Sequence, residues 1–383
     1  MRKPRLMTPG PAPVPEDVLL ELARPLNHHR SDGAKQVLAE VQDGLKMAFQ
    51  TSNDVLILTS SGTGAMEAAL VNAVPPGRSV LVLDAGHFAD RWARIAETFG
   101  IEAIRLEVPW GEAVDPTQVA EALERHPDVA AALRDVVRDI HRHGPPDRGD
   151  RPGPGRQGAP VPGRRHFGRG AIECRTDAWG IDLLCVGSQK ALMLPPGLAF
   201  VAVSPRGWGR IDSFESRSFY FNLKAARAAL GRSDTPWTPA HPMILALRTS
   251  LQRIEDEGIE KIWGRHRRMG MACRAGVQAL GLELFSRSPA DAMTVFHIPG
   301  GLRDAEIRGM LDERFGITLV GGQGRLQGRV LRVGHLGYMD GSTSSPVCRP
   351  LEQVLQDLGY GIEPGAAVAA AQRVLLGSGG KEA

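Results

Sequence analysis

Lys190 stands in CVGSQKALMLPPG, just past an apolar run, with small polar Ser188 and Gln189 before it and Ala191 to Leu194 after it. Enclosure of this kind disfavours the charged form of an amine, which frees the nitrogen as a nucleophile or Schiff-base partner. The ordinary alternative is a solvated lysine with no chemistry. A second segment, SSGTGAMEA, runs from the end of one apolar run directly into a helical pattern. Ser60 to Gly64 would then present backbone N–H groups and hydroxyls at a positive helix end, which suits a phosphate. A plain Ser/Thr helix cap with adjoining glycines fits the same residues. A third, RVLRVGHLG, sets Arg332 between Leu331 and Val333 in a strand pattern, so its side chain points opposite to theirs. A guanidinium facing a cleft would capture a carboxylate with two hydrogen bonds, whereas one on the outer face would meet only water.

The elements that must carry these residues are visible in the rhythm of the chain. DVLILT (54–59), SVLVLD (79–84), IEAIRLE (101–107) and VAAAL (129–133) are short apolar runs separated by helical stretches at 65–74, 88–99 and 116–126. Strands apolar throughout, alternating with helices, predict a mostly parallel sheet covered on both faces. Helices are expected ahead of it, at Asp17–Leu22 and Gln36–Phe49. The rhythm fails near Leu133 and resumes at IDLLCVG (181–187) and GLAFVAVS (197–204). From Pro242 to Leu284 the chain is mostly helical, with a break at Gly258. MTVFHIP (293–299), ITLVGG (317–322) and RVLRVGHLG (329–337), interspersed with helices, predict a smaller α+β domain, and the last segment one helix with a frayed tail. The division expected is a large domain over 1–245 and a small one over 246–383.

Bulk composition excludes several classes. The 383 residues, 42% hydrophobic and 23% charged, suit a globular protein of two domains or of one large domain with an appendage. The net charge of +3 owes much to one arginine-rich stretch, so there is no general pull towards nucleic acid or membrane. Cys174, Cys185, Cys273 and Cys348 form no CxxC pair and have no accompanying histidine spacing, which argues for idle thiols in a reduced, cytoplasmic setting and against a metal site. MRKPRLMTPGPAPVP has basic residues but no apolar core, unlike a signal peptide. No window approaches the ~18 apolar residues of a spanning helix.

Together, TPGPAPVP, HHRS, SSGTGAMEAA, GSQKALMLPPGLAF, TPWTPA and RVLRVGHLG, in this order, resemble the class V, fold type I pyridoxal-phosphate aminotransferases, in particular the alanine–glyoxylate and serine–glyoxylate branch. The resemblance implies pyridoxal 5′-phosphate held as an internal aldimine on Lys190. It implies Ser61, Gly62 and Thr63 at the cofactor phosphate, with Gln189 nearby. Phe88, in DAGHFADR, falls where the family stacks an aromatic ring on the pyridine. Thr238 falls where a neighbouring subunit completes the phosphate site, which implies a homodimer with shared sites. Arg332 falls on the substrate-carboxylate arginine. The implied reaction is ping-pong transfer of the amino group of alanine or serine to glyoxylate or pyruvate. A related lyase or desulfurase is the nearest enzymatic alternative, although no cysteine lies in an evident loop motif near Lys190.

One expected part is missing. The cofactor needs a carboxylate beside its ring nitrogen to act as an electron sink, and the resemblance puts an aspartate, in a VDA-like strand, where this chain has Arg164. An SETSTG-like segment expected near position 139 is replaced by RDVVRDIHRHG. The stretch PPDRGDRPGPGRQGAPVPGRR between them is built largely from Gly, Pro and Arg, which suits neither helix nor central strand. Read back into GC-rich codons and shifted by one base, RDVVRDIHRHG permits ATSSETSTG and PVPGRRHFGRG permits LVDATSVG. A compensated frameshift from about Leu133 to Arg169 explains both gaps, and a lineage-specific insertion or a basic binding loop are the other readings. As written, the chain is expected to be a catalytically impaired protein of this fold unless the aspartate is restored.

Overall fold

The computed structural model describes residues 4–134 and 172–377. The segment read as frameshifted therefore lies outside the described residues, apart from its first two positions. The chain opens with β1 (Arg5–Leu6), α1 (Glu16–Leu22) and α2 (Asp32–Phe49). Then β2 (Val55–Ser60), α3 (Gly62–Ala73), β3 (Ser79–Asp84), α4 (His87–Thr98), β4 (Glu102–Glu107), α5 (Pro116–Arg125) and β5 (Val129–Leu133) alternate. There follow β6 (Leu183–Gly187), β7 (Gly197–Val203), α6 (Pro205–Asp212), α7 (Leu223–Leu230), α8 (His241–Glu257) and α9 (Ile259–Ala279). The described chain closes with β8 (Met293–His297), α10 (Asp304–Phe315), β9 (Ile317–Thr318), β10 (Val320–Gly321), β11 (Val330–Gly334), α11 (Gly341–Asp357) and α12 (Ala366–Gly377).

The expected strands are present, and differences from the sequence reading have local causes. Helix α2 starts at Asp32, ahead of Gln36, because the Ser31 hydroxyl accepts from Ala34 N at 3.3 Å and caps it. Helices α6 and α7, which hydrophobic periodicity misses, are likewise begun by caps: Ser204 Oγ accepts from Gly207 N and Asn222 Oδ1 from Ala225 N, each at 3.0 Å. ITLVGG is two short strands, since β9 pairs with β1 and β10 with β11. Helix α8 packs on α1 and α2, so residue 245 lies within a helix that belongs to the N-terminal packing.

The main sheet consists of two three-stranded pieces, β4-β3-β5 and β2-β7-β6. The first is parallel throughout. In the second, β7 runs antiparallel to both neighbours. The turn from Gly187 to Gly197 is too short for the helical crossover, of about a dozen residues or more, that a parallel return requires. One core joins the pieces: Ala130, Ala131 and Leu133 of β5 cluster with Leu183 and Cys185 of β6, under α3 and α4. Both β5 and β6 are buried along their whole length, yet among the described residues each has a strand partner on one edge only. A third sheet, β10-β11-β8, packs its Leu331, Val333 and Phe296 against α9, α10 and α11.

The approach to β6 is fastened at Asp177. Its carboxylate accepts from Thr51 Oγ1 (2.6 Å), Ser52 N (2.8 Å), Ser52 Oγ (3.0 Å) and Asn53 Nδ2 (3.2 Å). Burial pushes its pKa up, but those donors outweigh burial and hold the carboxyl below its usual range. Stability from a depressed carboxyl is present above the unfolded pKa and is lost as pH falls through the folded one. Asp177→Asn should therefore lower the denaturant midpoint at pH 7, with the gap to wild type closing as the pH falls below about 4. A gap that stayed constant down to acid pH would contradict this.

Candidate active site

The candidate residues gather at one end of the sheet, beyond the carboxyl ends of β2, β3 and β6, where open α/β sheets bind ligands. Register explains the convergence: Ser60 pairs with Gly197 and Gly187 with Ala199, so the turn carrying Lys190 lies two strands from the start of α3. That turn is tied down. Ser188 N donates to Leu198 O (2.9 Å), Ser188 Oγ to Pro195 O (2.7 Å), Met193 N to Lys190 O (3.1 Å) and Ser250 Oγ to Leu192 O (2.6 Å). Lys190 itself is half-buried, and its Nζ donates to the carbonyl of Pro9 at 2.8 Å.

Ser61 is the N-cap residue of α3, and its side chain accepts no capping hydrogen bond. Gly64 is held close, since a Cβ there would fall 1.8 Å from Ser60 Oγ and 3.0 Å from Phe221 Cζ. Thr63 Oγ1 accepts from Arg91 at 3.1 Å, and the Arg91 guanidinium lies 4.7 Å from the centre of the Phe88 ring. Phe88 is half-buried on the first turn of α4, edge-on to His87 with ring centres 5.9 Å apart. The Gln189 side chain is half-buried, and its Oε1 is buried with no hydrogen-bond partner among the described residues.

Arg332 is 9% exposed on β11, with Nε donating to Gly321 O at 2.7 Å. As its alternation requires, Leu331 and Val333 face the core and Arg332 the opposite side. There it lines a cleft with His87 at the start of α4, Trp110 from the loop after β4, Phe285 and Gln323. His335, just past the strand, is fully buried against Thr294 Oγ1 (2.9 Å); burial first, then Arg274 and His266, push its pKa down to about 3. It stays neutral and is no proton carrier at physiological pH. Thr238 is exposed on the loop before α8, two residues ahead of Ala240, whose N donates to Thr59 Oγ1 at 3.1 Å near the start of α3. Position 164, where the sequence misses a carboxylate, lies outside the described residues.

Sequence reasoning missed Arg91 and His87. The signal was available: Arg91 follows Phe88 by one helical turn, so both share a face, and both lie in the quoted DAGHFADR.

The family model for class V aminotransferases matches residues 9–134 and stops there. A soluble hydrogenase small subunit of Synechococcus sp. (strain PCC 6716) is 37% identical over 391 residues, spanning 97% of this chain and 98% of the relative. The L-aspartate–glyoxylate aminotransferase of Paracoccus denitrificans (strain Pd 1222) is 30% identical over 383 residues, 96% and 95% of the two chains. Among solved structures, ureidoglycine–glyoxylate aminotransferase from Bacillus subtilis superposes with a TM-score of 0.89 at 27% identity, covering 98% of this chain and 99% of that one. The chain belongs to the class V aminotransferase family, with the fold type I architecture.

Arg91 makes the cradle at α3 cationic, and a charge-assisted hydrogen bond is worth about 1.5–3 kcal/mol. Arg91→Gln should weaken binding of a phosphate-bearing cofactor by roughly 10- to 100-fold, read by fluorescence titration. Unchanged affinity would remove Arg91 from the site.

Proposed function

We propose that the protein is a transaminase that moves the amino group of a small amino acid, alanine or serine, to a small keto acid such as glyoxylate or pyruvate. The observation that carries this is the half-buried amine of Lys190 just past β6, with the start of α3 two strands away and Arg332 lining a cleft with Ala85 and His87, just past β3. Glyoxylate is named as a substrate of the Paracoccus and Bacillus relatives, which supports it as acceptor. The described residues fit pyridoxal 5′-phosphate. The start of α3 offers N–H groups to a phosphate, Phe88 a ring face, Gln189 an unpartnered buried oxygen, and Lys190 an amine.

When bound, the cofactor supplies an aldehyde that takes up the amine and a ring that withdraws electrons from the substrate's Cα. This chain's residues do the rest. Ser61, Gly62 and Thr63 bind the phosphate, and Phe88 with Gln189 fixes the plane of the ring. Arg332 takes the substrate carboxylate in its fork and so aims Cα at Lys190. Lys190 Nζ would take the proton from the substrate's Cα as base and deliver it to C4′ of the cofactor as acid within the same half-reaction, and would run the same transfer in reverse with the acceptor keto acid. Thr238, exposed here, would reach the phosphate site of a second copy, giving a homodimer with shared sites. A large part, 1–245, and a small part, 246–383, would meet at the cleft. The setting follows the sequence reading, cytoplasmic; among the described residues no helix is long and apolar enough to cross a membrane.

Other activities fit less well. All four cysteines are buried and none is in a disulfide, and burial pushes Cys273 up to about 11, so no described thiol suits a desulfurase. Among the described residues no group of three or more His, Cys, Asp or Glu is placed to hold a metal ion.

A second reading concerns the chain as written. The family match covers residues 9–134, and the residues from Gly144 to Gly170 are mostly Gly, Pro and Arg. This favours a compensated frameshift over about Leu133 to Arg169, which would remove one central strand and the ring-nitrogen aspartate and leave an impaired enzyme. Resequencing the coding DNA should recover SETSTG-like and VDA-like strings in one common alternative frame. Nucleotides that spell neither would overturn it.

The transaminase reading is tested by incubating the protein with cofactor, donor and glyoxylate. Glycine should accumulate with parallel double-reciprocal lines, and its absence with every small donor would refute the reading. Losing the Arg332 carboxylate contact should cost about 2–5 kcal/mol. Arg332→Ala should then lower kcat/KM for the amino acid by roughly two orders of magnitude with cofactor affinity nearly unchanged. Wild-type kinetics would place the arginine outside the reaction.

A further inference from the structure

Residues 5–12 thread between the C-terminal sheet and the lysine turn, with ties to both. Arg5 N donates to Gly316 O (2.7 Å) and Met7 N to Thr318 O (3.1 Å). Gly334 N, two residues along β11 from Arg332, donates to Met7 O (2.8 Å), and Ala12 N donates to Gln189 O (2.9 Å). Gly334 is packed so closely that a Cβ there would fall 2.2 Å from Thr8 O. Met7, Thr8 and Ala12 are buried. Between the two sets of ties, the carbonyl of Pro9 accepts from Lys190 Nζ at 2.8 Å. Gly10 has φ 141°, a conformation that L side chains rarely adopt, and a Cβ on it would lie 2.4 Å from Lys190 Nζ, 2.6 Å from Cδ and 2.7 Å from Cε.

We propose that residues 8–11 are a positioning element for Lys190. The Pro9 carbonyl holds the amine in its working place whenever it is not covalently engaged, and Gly10 leaves the space in which the side chain lies. A long, four-torsion side chain otherwise samples many rotamers, and a half-buried amine without an acceptor is costly. The carbonyl supplies the acceptor, and the ties to Gln189 and Gly334 fix its position relative to both the lysine turn and the strand of Arg332. Thr8 Oγ1, donating to Pro11 O at 2.5 Å, closes the turn that aims it. The proposal rests on the assignment of Lys190 made above.

The test separates positioning of the amine from binding of the cofactor. When pyridoxal phosphate is added to the cofactor-free protein, the Lys190 amine condenses with the aldehyde and one water leaves, which raises visible absorbance. Pyridoxamine phosphate carries an amine in place of that aldehyde, cannot condense, and reports binding alone. Gly10→Ala should slow condensation about tenfold or more, while pyridoxamine phosphate affinity stays within about threefold. Thr8→Val, which removes the closing bond but leaves the space at Gly10, should slow condensation in the same assay by a smaller factor. Should Gly10→Ala fail to fold, Thr8→Val decides: slower condensation with unchanged pyridoxamine phosphate binding supports the proposal. Condensation at the wild-type rate in the variants, or an equal loss in both readouts, overturns it. Wild-type protein that never condenses at Lys190 overturns the assignment of the lysine instead, before any variant is made.

Discussion

A primary amine carried into a half-buried cleft must have an acceptor and must be held there by a short, stiff piece of chain. Here the turn from Gly187 to Gly197 meets the second condition. Its brevity forces β7 to return antiparallel, which fixes Lys190 at the end of the sheet. Its hydroxyl and carbonyl bonds, through Ser188 and through Ser250 of α8, leave it little freedom. The acceptor comes from far away in sequence, from Pro9. The amine therefore depends on the N-terminal segment, the central sheet and, through Gly334, the strand that carries Arg332.

The same end of the sheet collects the other groups for an equally simple reason. Parallel strands deliver their following loops to one edge, so the start of α3 after β2 and the start of α4 after β3 arrive beside the lysine turn. Arg91 then joins the two helix starts, by its bond to Thr63 and its position over Phe88. β5 and β6 share a core and are fully buried, with a described strand on one side of each.

Much of this was legible in the residues. Apolar runs without alternation gave the buried strands, since both faces of the sheet are covered. Leu331-Arg332-Val333 gave the direction of the arginine, because strand alternation admits one answer once the flanking residues are core. The reversal of β7 was less visible: apolar pattern carries no strand direction, and only the length of the connecting turn does. The caps that begin α6 and α7 act through single side chains, below the reach of periodicity. The Pro9–Lys190 bond was out of reach altogether. TPGP could be quoted as a motif, but a backbone carbonyl has no sequence signature, and its partner lies 181 positions away. Thr238 was legible only through resemblance, and a single protomer leaves it exposed.

The central claim is that Lys190 is the residue that engages the cofactor. Borohydride reduction of the protein loaded with pyridoxal phosphate, followed by peptide mass analysis, tests it directly. The account predicts one phosphopyridoxyl group per chain, carried by the peptide containing Lys190 and absent from Lys190→Ala. A label fixed on a different lysine, or no label at all on a folded protein, would contradict it.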